Sequence, residues 1–200
     1  MRPPAVFLLW GALMAAIGVC GLLFFGFPDP EEPALFGGTV FGLFAAIYYW
    51  FPKVTGRLLG ETLGRWQAAL MFVGGLLAFI PMFLLGHDGM PRRVANWDDP
   101  AWRAPNIVAT VGAYMIALAM VLFVVNVLRS LRVGRLAGAD PWEGQTLEWA
   151  TSSPPPRENF DVLPPVRGYA PLLDLRHDGR EPQEVLGELR ERRRALEAVP

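Results

Sequence analysis

The sequence predicts an all-α membrane protein of about four transmembrane helices followed by a Pro-rich, mostly irregular tail. Three observations carry that expectation. Four apolar runs, 5–27, 34–52, 66–86 and 106–128, each approach the roughly 20 residues that cross a bilayer core as a helix. None has the polar stripe that a surface helix of a soluble domain needs. Residues 137–200, by contrast, are rich in proline and charge and hold no run of spanning length. The chain therefore divides into a transmembrane region, 1–136, and a tail, 137–200.

The first run follows Arg2, as the core of a signal peptide would follow its basic end. Its length exceeds the roughly 7–15 residues of such a core, and Phe24-Phe25-Gly26-Phe27-Pro28 lacks a small-residue cleavage pattern. A retained helix is expected, with Gly11, Gly18, Gly21 and Gly26 allowing close approach to neighbours. Pro28, Pro30 and Pro33 then force a break. The second helix carries Tyr48, Tyr49 and Trp50 at its inner end, where aromatic residues form a belt at headgroup level. Pro52 and Gly56 end it. Trp66 opens the third helix, in which Pro81 predicts a kink tolerated by neighbouring helices. A long loop, 86–105, leads to the fourth helix, which ends at Arg129, Arg132 and Arg135.

In the tail, Pro141, Pro154–Pro156 and Pro164-Pro165 disfavour regular structure and predict an extended path along partner surfaces. Residues 183–199 are the exception, a short helix with Val185, Leu186, Leu189 and Leu196 along one side. Its Arg190, Arg192, Arg193 and Arg194 either meet anionic lipid or belong to a solvated face balanced by Glu188, Glu191 and Glu197.

Basic residues set the orientation. With the N-terminus inside, Arg2, Lys53, Arg57, Arg65, Arg129, Arg132 and Arg135 all lie on the inner side. The outer loops hold Asp29, Glu31 and Glu32 in one, and Arg92, Arg93 and Arg103 beside Asp88, Asp98 and Asp99 in the other. Both termini are thus expected in the cytoplasm. A net charge of −1 gives no reason to expect nucleic acid. The single Cys20 lies within an apolar run and is expected to behave as a small hydrophobe; one cysteine builds no metal or redox motif. No Asp, Glu, Lys or Arg sits in mid-span, so neither a proton relay nor a transporter pathway is visible. Gln67, Asn106 and Asn126 are read as lying near helix ends, where polar groups cost little.

Three segments resemble a known family in order and spacing. They are Gly38-Thr39-Val40-Phe41 through Tyr48-Tyr49-Trp50-Phe51-Pro52-Lys53-Val54-Thr55-Gly56-Arg57, then Gly89-Met90-Pro91-Arg92-Arg93, then Thr146-Leu147-Glu148-Trp149 with Ser153-Pro154-Pro155-Pro156. The chain is similar, over roughly 35–166, to the last three transmembrane helices and tail of cytochrome c oxidase subunit I, in its bacterial members above all. The resemblance implies a component of the aerobic respiratory chain, moving electrons from cytochrome c to oxygen with proton translocation. It implies haem a and copper in the parent complex. It also implies that Arg92 and Arg93 bind haem propionates, since a guanidinium pairs with a carboxylate through two charge-assisted hydrogen bonds. The alternative is that both arginines anchor the loop to lipid headgroups or to Asp98 and Asp99.

The family's metal chemistry, however, rests on histidines. Where its members carry a His-Phe-His-Tyr segment, this chain reads Pro28-Asp29-Pro30-Glu31-Glu32-Pro33, and neither carboxylate nor proline replaces a haem-ligating imidazole. The family sites take more histidines than the two present here. His87 carries a proton, contacts a haem edge, or bonds to Asp88 at the membrane surface; His177 in the tail reads as solvated. Glu148, Trp149, Pro154–Pro156 and Phe160 belong to a tail signature that the resemblance marks as an interaction feature. The chain alone is therefore expected to be inactive, with no catalytic or metal-ligating residue of its own. Its partners would be other oxidase subunits, or a missing N-terminal part of subunit I, in a bacterial plasma membrane. The second reading is a non-catalytic four-helix accessory or assembly protein derived from the oxidase.

Overall fold

The computed structural model describes residues 39–91, 93, 94, 96 and 99–198. The helix expected over 5–27, the signal-peptide question, Arg2 and Cys20 lie outside those residues. Among the described residues every regular element is helical. These are α1 (Phe41–Thr55), α2 (Glu61–His87), α3 (Pro100–Val133), a 3₁₀ turn (Leu147–Ala150), α4 (Pro171–His177) and α5 (Pro182–Glu197). They fall into two compact units. One holds the described residues within 39–46 and 60–129, the other those within 47–59 and 130–198.

In the first unit, α2 and α3 have 27 and 34 residues. At 1.5 Å per residue they extend about 40 and 50 Å, more than the roughly 30 Å of a bilayer core. Both are long and apolar enough to cross a membrane. Each exceeds its expected apolar run at both ends, because charged and polar residues such as Glu61, Arg65 and Arg103 continue a helix that hydropathy alone stops counting. The exposed side of α3 is apolar along most of its length (Ile107, Val111, Tyr114, Leu118, Val121, Val125), a surface suited to lipid or apolar neighbours and not to water.

The two helices meet at glycines. A Cβ on Gly112 would lie 2.4 Å from the Ala78 nitrogen and 2.6 Å from the Gly74 carbonyl oxygen, so only hydrogen fits there. Phe44 of α1 packs edge-on against Phe123, ring centroids 5.1 Å apart. Of the polar residues expected near helix ends, Asn106 is partly exposed near the start of α3, whereas Gln67 and Asn126 are both buried, inside the ends of α2 and α3. Asn126 uses its burial: its Oδ1 accepts from the Gly60 N–H at 2.9 Å, and its Nδ2 donates to the Gly60 carbonyl at 2.9 Å. The amide thus satisfies the backbone just before α2, where no side-chain cap exists.

The second unit departs most from expectation. The tail is not an extended strand but has its own core: Trp149, Ala150, Leu172, Leu175, Val185 and Leu186. The 3₁₀ turn, α4 and α5 pack on one another around it. Pro141, Pro154–Pro156 and Pro164-Pro165 lie outside the helices, as expected, but two other prolines serve as helix starts. Pro171 and Pro182 open α4 and α5, where the missing N–H would have had no intrahelical partner anyway. α5 covers most of the stretch 183–199 expected to be helical, and the helix α4 was not foreseen. Arg193 pairs with Glu197 at 2.8 Å and Arg190 lies 3.7 Å from Asp161, which favours the solvated reading of that arginine face.

Candidate functional site

Two places hold the residues singled out by their chemistry. The first is the loop after α2, where the paired arginines lie. α2 closes with the Asp88 N–H donating to the Leu84 carbonyl and the Met90 N–H to the Leu85 carbonyl, both at 2.9 Å. Asp99 caps the far side, its Oδ1 accepting from the Ala101 N–H at 2.8 Å. Asn106 Nδ2 donates to the Trp102 carbonyl at 2.8 Å and reaches the Met90 sulfur at 3.7 Å. Between these anchors Arg93 is exposed, with a left-handed φ of 62°. Arg92 and Asp98 lie outside the described residues, so the structure places one arginine and does not show the pair together.

The histidines are distant from any such role. His87 Nδ1 lies 3.5 Å from Asp88 Oδ1, with both side chains exposed. His177 is exposed at the end of α4. Among the described residues no cluster of three His, Cys, Asp or Glu side chains is placed to hold a metal ion.

The second place was missed as a site: the end of α1, where the string Pro52-Lys53-Val54-Thr55-Gly56-Arg57 meets the tail. α1 does not stop at Pro52 but continues to Thr55. That extra turn carries Lys53, the only lysine of a chain with seventeen arginines, into the tail unit. Its side chain is buried. Nζ donates to the carbonyl oxygens of Ala139 at 2.8 Å, Thr151 at 2.9 Å and Ser152 at 3.4 Å. It also lies 5.0 Å from the centroid of the Trp149 ring, within cation–π range. An ammonium group, with three donors diverging from one compact point, fits a cup of carbonyls that a planar guanidinium would not.

Burial pulls the Lys53 ammonium down from its ordinary value near 10.5 to about 8, against the opposing pull of Asp140 and Glu148. The aromatic residues read as a headgroup belt partly serve the same joint. Tyr48 is buried, and Tyr49 packs edge-on against Trp149 at 5.1 Å while its carbonyl accepts from Trp142 Nε1 at 3.0 Å. Only Trp50 stays well exposed, at 45%.

The remaining letters of the string have backbone roles. Thr55 Oγ1 donates to the Phe51 carbonyl at 2.7 Å. Gly56 takes φ 72°, and a Cβ there would sit 2.8 Å from the Ser153 carbonyl oxygen. Arg57 forms an antiparallel bridge with Leu136, flanked by bonds from the Leu58 N–H to the Arg135 carbonyl and from the Ala137 N–H to the Gly56 carbonyl. Asp140 is held in turn by Arg176 at 2.8 Å in a largely buried pair. The arrangement is a clamp that fixes the tail on the end of α1. Its one sequence signal was a lone lysine embedded in the shared string.

The string at the end of α1 and the loop after α2 both lie within the stretch that matches a known family. Residues 33–115 match the family model of cytochrome c and quinol oxidase polypeptide I. Cytochrome c oxidase subunit 1 of Thermostichus vulcanus is 52% identical over 132 residues, covering 66% of this chain and 24% of that protein. The corresponding subunit of Synechocystis sp. is 48% identical over 130 residues, or 65% of this chain and 23% of its own length. For Bacillus subtilis the figures are 44% over 140 residues, 69% and 22%. The chain thus spans about a quarter of the length of these relatives. Over the matched stretch, about two-thirds of its own length, the chain is a homologue of cytochrome c oxidase subunit I.

Proposed function

We propose that this chain works as the C-terminal portion of a subunit I-like protein within a respiratory oxidase. It would be seated in a bacterial plasma membrane with both termini cytoplasmic. The observation that carries the reading is the 52% identity, together with a clamp built from the shared string itself. Residues with fixed packing roles are those that a chain still docking into its parent assembly would keep. The electron transfer from cytochrome c to oxygen, and its coupled proton translocation, would belong to the assembled complex. The fit to haem and copper is poor on this chain's own donors: its two histidines are exposed, and one is engaged with Asp88. No step is therefore assigned to them. Arg93, exposed in its loop, suits a propionate carboxylate brought by other parts of the complex, with Arg92 as its neighbour in sequence.

The second reading, a non-catalytic accessory or assembly protein, draws on the self-contained core of the tail unit. Affinity purification of the tagged chain from its native membrane in mild detergent separates the two. Haem a absorbance with co-purifying oxidase subunits is the expected result, and Arg93→Ala should then shift the haem potential. A colourless preparation with oxidase assembly factors would favour the accessory. A colourless preparation without oxidase partners would overturn both.

A further inference from the structure

The bridge between Arg57 and Leu136 does more than join two segments. It gathers arginines at the point where α3 ends. Arg132 is exposed on the last turn of α3, and Arg135 is exposed two residues beyond the helix. Arg57 is drawn alongside by the backbone bond from the Leu58 N–H to the Arg135 carbonyl, and its Nη1 is pinned on the Gly134 carbonyl at 2.8 Å. That single bond leaves most of the guanidinium's five donors for another acceptor.

Two features say what that acceptor is. The first is charge: three guanidinium groups gather at this end of α3, and the stretch from 100 to 139 holds no acid. The second is setting. Exposed apolar side chains interleave with the arginines: Leu131 at 46%, Val133 at 73%, Leu136 at 74% and Val54 at 70% exposure. Cationic groups among exposed apolar ones, at the end of a helix of membrane-crossing length, match the boundary between headgroups and acyl chains. A soluble anion would satisfy the arginines and leave the apolar residues in water.

We propose that Arg57, Arg132 and Arg135 form a binding surface for the phosphodiester headgroup of an anionic phospholipid, with Leu131, Val133 and Leu136 against its acyl chains. The site does not depend on the chain's belonging to an oxidase complex.

Native mass spectrometry tests it on the full chain, in phosphatidylcholine nanodiscs containing a minor fraction of phosphatidylglycerol. The chain should retain phosphatidylglycerol preferentially. Arg132→Gln with Arg135→Gln should weaken that retention about thirty-fold, at about 1 kcal/mol for each arginine near an anionic surface. Both side chains are exposed, so the fold should persist, as circular dichroism would verify. A variant that keeps the full preference would overturn the proposal, as would a wild type that holds both lipids equally. Displacement of the lipid by inorganic phosphate at similar concentration would assign the arginines to a soluble anion and overturn it too. On the wild type alone, retention should fall as salt screens the pair; insensitivity to salt would count against it.

Discussion

Replacing Lys53 by methionine keeps the apolar stem and removes the ammonium, which isolates the clamp's polar content. Two short bonds to buried carbonyls are lost, at 2.8 and 2.9 Å. At about 1.5–3 kcal/mol net for each bond to a charged donor, desolvation included, the loss is about 3–6 kcal/mol, which should open the tail on the order of a hundred times more often or above. Cleavage of the tail by a protease under native conditions tracks that open population when reclosing is fast.

The pH dependence follows from the sign of the shift. A base with a depressed folded pKa costs stability below that pKa and regains it as pH rises toward the unfolded value. Here the window runs from about 8 to 10.5. The neutral amine still has two N–H groups for the two short bonds. The wild-type tail should therefore resist cleavage about ten times better at pH 9 than at pH 7, after correction for protease activity, while the methionine variant should not. Equal cleavage of both proteins at pH 7, or parallel pH profiles, would refute the reasoning.

Three further outcomes are expected. Gly56→Ala puts a Cβ 2.8 Å from the Ser153 carbonyl oxygen at a φ of 72° and should lower tail stability by about 1–3 kcal/mol, read by the same proteolysis. Gly112→Leu, at a position where even a Cβ would lie 2.4 Å from the Ala78 nitrogen, should prevent α2 and α3 from closing. A cysteine cross-link between introduced residues on the two helices would fail to form. Asn126→Leu should cost about 1–3 kcal/mol by removing both amide bonds to Gly60, whose carbonyl keeps the Gly64 N–H at 3.1 Å, and hydrogen exchange at the start of α2 should quicken while its centre stays protected.

The apolar helices were legible because hydropathy is a local property, summed over twenty neighbours in sequence. Their ends were not, since Glu61 or Arg132 can extend a helix that no longer needs to be apolar. The tail shows the opposite failure. Proline content argued for an extended chain, yet Pro171 and Pro182 stand where a helix begins, and position within an element is invisible to composition. The clamp was hidden by distance in sequence: Lys53 and Thr151 are 98 residues apart, and nothing local announces their contact. The string containing Lys53 could be matched to a family without revealing that each of its polar letters holds a piece of backbone. Arg93 was found the same way, and its exposed loop position is compatible with several acceptors.

The short ladder at positions 56–58 and 135–137 is made by main-chain atoms alone. The ladder itself reads no side chain, so it places almost no restriction on which residues occupy Leu58 or Ala137. It rejects proline, since the Leu58 and Ala137 N–H groups are its donors. Drift can therefore rewrite Leu58 and Ala137 almost freely while the attachment of the tail stays in register, whereas Lys53 and Gly56 admit almost no exchange. A family can in this way look variable at the seam and fixed beside it, with both patterns arising from one attachment.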